Sequence, residues 1–277
     1  MKTTNATPPA GNDADAFTLV ELLVVMAIVA VLASMLLPVL AGAKGRAQSV
    51  QCLGNLRQLQ VAWQLYADDH DGRLAPNWYF EAVETNPGRF QSWARGVMSF
   101  EANRPDNTNT AYLTQGLLGR YASSAGVFRC PSDRSVARIG GQLLLRVRTA
   151  AMNHWMGFED ESWDQGQCRF LRLSDLLAPP PSLAFVLTMQ REDAIEDAWM
   201  RIDPEGGGGI VQWPEAYHHR SANFSFADGH AQGHRWQGAR TTPPLRRGSR
   251  LAEWGFPLAG NPDARWIRDH ATSRARK

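Results

Sequence analysis

The residue types that could do chemistry crowd into the carboxyl-terminal third: His218, His219, Asp228, His230 and His234. Imidazoles and a carboxylate at that density suit zinc, and spacing thins the set. Asp228-Gly229 lies between two alternating runs, the pattern of a β-hairpin. On one strand His230 and His234 would stand about 13 Å apart, too far to share an ion held by bonds of about 2 Å. His218 or His219 with Asp228 and His230 remains the candidate metal set. The plainer alternative is that Asp228 shapes the turn and His218 bonds nearby backbone. A two-residue turn pairs Ala227 with His230, Ser225 with Gln232 and Asn223 with His234. It puts Ala222, Phe224, Phe226 and Ala231 on a core face, and Asn223, Ser225, His230 and His234 on a polar one.

A second cation, calcium, is suggested by Asp68-Asp69-His70-Asp71-Gly72. Setting Gly72 as the loop glycine of an EF-hand puts Ala67 at the first ligand position and Trp78 at the last, so the template fails. Asp-Gly followed by Pro76 reads as a helix end with turn chemistry, with an irregular calcium loop as the alternative. No serine nucleophile elbow, phosphate loop or His-Glu-x-x-His pattern occurs. The chain is therefore expected not to be an enzyme, and a tethered hydrolase would have to rest on the metal set alone. Cys52, Cys130 and Cys168 allow three disulfide pairings.

One further carboxylate is out of place. Glu21 precedes residues 22–43, which hold no charged side chain and span about 33 Å as a helix. A carboxylate costs about 2.5–3.5 kcal/mol at the centre of such a segment and less at its edge, and it needs a partner. Lys44 and Arg46 follow the apolar run at once, which argues against a cleaved signal peptide. The helical pattern then continues, with Val50, Leu53, Leu56, Leu59, Trp63 and Tyr66 at steps of three and four. One helix is expected over residues 17–70. Its first half would be apolar all round, with Pro38 placed to kink it. Its second half would be a stripe that needs a domain packed against it.

The elements around the candidate residues follow from the rest of the chain. It has 277 residues, 44% hydrophobic and 20% charged, with mean hydropathy −0.34. That excludes wholesale disorder and a multi-span membrane protein. A net charge of +2 gives no global field for nucleic acid, and no specific nucleic-acid partner is expected. Ten tryptophans must be buried or used. A short helix is expected at residues 115–121, a strand end before Cys130, strands at 143–151 and 183–189, and a flexible turn at 206–209. Residues 235–277 carry ten Lys/Arg against three Asp/Glu and read as a basic, solvated tail, with a surface for an acidic partner or polymer as the alternative.

Phe17-Thr18-Leu19-Val20-Glu21-Leu22-Leu23-Val24-Val25 resembles the amino-terminal signature of type IV prepilins and type II secretion pseudopilins. Cys52-Leu53-Gly54-Asn55-Leu56-Arg57-Gln58-Leu59, Cys130-Pro131-Ser132-Asp133, and His218 nine residues before Asp228-Gly229 are similar to a large prepilin-like group with an H-x9-D-G element. The resemblance implies an α+β, pilin-like fold: a leader at 1–16, the long helix packed on a head domain with an antiparallel sheet at 71–277, and a single inner-membrane span with the head in the periplasm. It implies that a prepilin peptidase cuts after Ala16, where the family usually has Gly, and methylates the Phe17 amine. Glu21 would pair with a neighbour's Phe17 amine in a filament built with other pilin-like subunits on an inner-membrane platform. It also favours a Cys52–Cys130 disulfide, with Cys130–Cys168 as runner-up. The expected function is a structural minor pilin or pseudopilin. The alternative is an anchored extracytoplasmic protein that binds a ligand or metal and does not polymerise.

Overall fold

The computed structural model describes residues 18–160, 166–203, 209–210, 212–251 and 260–274. The chain forms an α+β, pilin-like protein and divides into two units, Met1–Lys44 and Gly45–Lys277. Helix α1, Leu19–Asp69, enters both. Within the first unit, residues 18–41 are exposed, including Leu19, Val39 and their neighbours. By length and composition this is a helix able to cross a membrane.

Within the second unit the rest of α1 is a core element. Cys52, Leu56, Leu59, Gln60, Ala62, Trp63, Tyr66 and Ala67 are buried, at the three-and-four spacing of one helix face. The expected stripe holds at Leu56, Leu59, Trp63 and Tyr66 and gives way at its start. Val50 is 69% exposed, while the small residues Cys52, Ala62 and Ala67 lie inside. The helix ends by returning the Gly72 amide to the Ala67 carbonyl at 2.8 Å, with Asp71 and Gly72 at positive φ. That is a helix cap. The acidic run there belongs to no convergent group of metal-binding side chains among the described residues.

Two short helices follow, α2 at Phe80–Thr85 and α3 at Ala111–Thr114. The helix expected at 115–121 therefore ends before it was due to begin, and those residues form turns. The segment before Cys130 is a 3-10 helix, Ala125–Phe128, not a strand end. A two-stranded ribbon, β1 (Val136–Ile139) and β2 (Gln142–Leu145), precedes β3 at Ala150–Asn153. The strand expected over 143–151 is thus broken. Arg146, Val147 and Thr149 send their amides to Ser135, Asn107 and Phe128, and buried Arg148 donates to the carbonyls of Ala150, Asp197, Gly96 and Glu196. Those bonds replace a sheet ladder across the break.

Strands β4 (Phe185–Met189), β5 (Trp199–Met200), β6 (Ile202–Asp203), β7 (Gly209–Ile210), β8 (Ser221–Phe226) and β9 (Ala231–Arg235) complete the set. Most of the turn expected at 206–209 lies outside the described residues. The main sheet has the order β5-β3-β4-β8-β9, antiparallel except for the β3–β5 pair.

The hairpin β8–β9 forms where expected, one register away. Ser225 faces Ala231, Phe224 faces Gln232 and Ala222 faces His234. Phe226 and His230 close a three-residue loop in which Gly229 takes φ +99°, the form that adds a left-handed residue to a turn. The slip moves His234 to the face of Phe224, where it stacks on Trp266. It moves Ala231 to the face of Ser225. That supposedly polar face is buried too: Ser225 Oγ donates to Gln60 Oε1 on α1 at 2.8 Å. Both faces of β8 are covered, which a one-sided alternation rule does not anticipate.

The basic carboxyl-terminal segment is not a solvated tail. Helix α4, Pro262–Ala271, begins with Asn261 accepting the Asp263 and Ala264 amides, and it buries Ala264, Ile267 and Ala271 in the core. Trp236 is 2% exposed and Asp263 1%. The segment's charge rides on the outer face of structure that closes the sheet.

Candidate functional site

Two places concentrate unusual chemistry. The first is the amino end of α1. Thr18 Oγ1 donates to Glu21 Oε2 at 2.7 Å, the Thr18 amide donates to the same oxygen at 2.9 Å, and the Glu21 amide donates back to Thr18 Oγ1 at 3.2 Å. This is a capping box, in which side chains three apart satisfy amides that the first turn leaves open. Thr18-Leu19-Val20-Glu21 carries that signature in plain sequence. It gives Glu21 a partner within its own first turn, Thr18. Ala16 and Phe17 lie outside the described residues.

The second is buried in the head. Cys52 sits on the inner face of α1. Cys130 follows the 3-10 turn and is fixed by its amide donating to Thr149 Oγ1 at 2.7 Å. The Glu215 backbone is held by Met189 and by the Trp236 indole N–H. His218 lies in the turn that launches β8, where His219 and Arg220 both take positive φ, at +55° and +62°. Two successive non-glycine residues in that region cost about 1–3 kcal/mol each, and the bend they make turns His218 inward. Gly45 on α1 leaves room for the His219 ring, because a Cβ there would stand 3.3 Å from its Nε2.

The four side chains converge. His218 Nε2 is 3.4 Å from Cys130 Sγ and 3.5 Å from Glu215 Oε1, and Cys52 Sγ is 3.5 Å from the same Oε1. One ligand atom from each lies within 4.8 Å of every other, and all four residues are buried. Burial pushes the Glu215 carboxyl up to about 7 and the His218 imidazole down to about 4. Burial also raises the Cys130 thiol. At Cys52 the lowering contact with Cys130 is outweighed by burial and by the Glu215 charge, so its thiol is raised as well.

The candidate residues are thus redistributed. Cys52 and Cys130 are brought together, as free thiols, and Cys168 stands apart beside the Ser273 hydroxyl. His218 is in the buried cluster. Asp228 and His230 are not: they pair with each other at 2.6 Å on the exposed hairpin turn, and the His230 ring stacks on Phe226. The set His218–Asp228–His230 is therefore corrected. Asp228 also accepts the His230 amide, the turn-shaping role. Glu215, missed in the sequence, completes the cluster. It stands three residues before His218, a separation that a turn brings to one side, and no motif marked it.

A family model, the prokaryotic N-terminal methylation motif, matches residues 12–37. No curated protein and no solved structure matches the chain. The matched residues contain the Thr18–Glu21 cap and most of the exposed apolar helix, and they support a prepilin-like protein that prepilin peptidase processes and that a helix anchors in a membrane.

Proposed function

We propose that the chain is a structural subunit, a minor pilin or pseudopilin of a type II secretion or type IV pilus-like filament, and not an enzyme. The observation that carries this reading is the split character of α1. One half is buried in the head. The other is uncovered over residues 18–41 and bears the methylation motif. An apolar helix of that length is stable only in lipid or against other helices. Prepilin peptidase cuts after Ala16 and methylates Phe17. The head stands in the periplasm, and an inner-membrane platform adds the subunit to its neighbours through the apolar halves. Mass spectrometry of the mature protein should find a first residue of N-methylated phenylalanine, Phe17. An intact Met1, or a cut beyond residue 41, contradicts the reading.

A further inference from the structure

We propose that Cys52, Cys130, Glu215 and His218 form a closed structural zinc site that staples α1 to the head. The argument begins with geometry. A tetrahedral ion with bonds of about 2.0–2.3 Å to nitrogen, oxygen and sulfur holds its ligand atoms about 3.3–3.8 Å apart. Three edges of the cluster measure 3.4, 3.5 and 3.5 Å. They use one atom each of His218, Cys130 and Cys52 and the same oxygen of Glu215, so the groups point at a common centre.

The donor types select the metal. Two sulfurs, an imidazole and one carboxylate oxygen suit zinc, whereas calcium and magnesium take oxygen. Four protein ligands leave no open position, so the site is structural and does not activate water. One donor already faces the Cys130 sulfur: the Ser132 amide donates to Cys130 Sγ at 3.4 Å. The Asn223 amide donates to Glu215 Oε1 at 3.4 Å.

Without a cation the cluster is poorly served. Glu215 Oε1 and His218 Nε2, the atoms that face the centre, meet only at 3.5 Å, longer than a good hydrogen bond, and all four residues are buried. A Cys52–Cys130 disulfide would use two of the four groups and leave a carboxylate and an imidazole buried beside a neutral bond, at a desolvation cost. A divalent cation gives all four a partner. On binding, the two thiol protons, and the Glu215 proton where the carboxyl holds one, pass to solvent; bonds from zinc to the two sulfurs, Oε1 and Nε2 replace its bonds to water, with no oxidant or reductant needed. The raised thiols and carboxyl are then held ionised by the ion's own charge. The ion joins α1, the Cys130 turn and the segment that leads into β8, three stretches far apart in sequence.

The test uses the full chain in detergent, kept reduced. Elemental analysis should find one zinc per chain. Replacement by cobalt should give the intense visible bands of a tetrahedral ion and a sulfur-to-cobalt charge-transfer band. Cys52→Ser, Cys130→Ser and His218→Gln should each weaken zinc binding by at least about 100-fold, and His230→Ala should leave it unchanged. Where a variant fails to fold, the cobalt spectrum of the unaltered chain still decides. Reduced thiols that take up no stoichiometric metal, a cobalt spectrum without the thiolate band, or a metal-free protein isolated with a Cys52–Cys130 disulfide would each overturn the proposal.

Discussion

The two halves of α1 are one uninterrupted helix in opposite surroundings. From Leu19 to Leu40 the large apolar side chains are exposed, while Leu56, Leu59 and Trp63 further along are fully buried. Backbone geometry does not distinguish them. What differs is the source of stability. The second half gains it by burying one face under the sheet, with Gln60 and Gln64 bonding Ser225 and the Ala227 carbonyl. The first half has no such cover within its own unit and must find it in lipid or in other chains. Secondary structure alone says little about what a helix is for, and the surface it leaves unsatisfied says more.

The largest expected effect comes from separating the halves. A fragment beginning at Gly45 retains the second unit whole. It should be recovered folded from the soluble fraction, whereas the full chain should sediment with membranes. Persistent membrane association of the fragment would break the comparison by placing lipid affinity in the head. A smaller effect is expected from matched truncations. Trp63→Ala should cost the head about 3–5 kcal/mol in urea unfolding, as for other fully buried aromatic side chains. Leu32→Ala, at a residue 56% exposed, should leave that unfolding transition unmoved. Equal costs at the two positions would mean that the head, and not lipid, shelters the first half.

These contrasts also mark what the sequence made legible. The long helix, its apolar half and the Asp-Gly hairpin rest on periodicity and turn chemistry, which are local, and they were read correctly in kind. The hairpin register was missed by one because a three-residue loop with Gly229 at positive φ replaced the tighter turn, and Asp-Gly fits either. The strand at 143–151 failed because Arg148 is anchored to carbonyls about fifty residues away in the sequence, which no window reveals. The basic segment hid α4, since a formal charge count does not see Ala264 and Ile267 on one face. The candidate metal set erred the same way. Asp228 and His230 are sequence neighbours of the hairpin and remain there, while the partners of His218 come from α1, a distant turn and Glu215. The nearness of Cys52 and Cys130, free thiols in the structure, was legible only through resemblance to a prepilin-like group, which implied a disulfide between them.

Glu21 carries the sharpest form of the account, because it has two separable jobs. As an acceptor it caps α1 through Thr18; as a charge inside the membrane edge it would draw a neighbour's Phe17 amine. Glutamine can still close a capping box but brings no charge, so Glu21→Gln divides the two. The decisive measurement is filament sheared from cells expressing Glu21→Gln, with membrane-fraction abundance measured beside it. The account predicts normal abundance and processing with assembly lost, since lipid tails give helices no hydrophobic drive to associate and the missing charge pair is what would recruit the next subunit. Filaments assembling as well as those of the unaltered chain would contradict it, and would leave Glu21 a helix cap and nothing more.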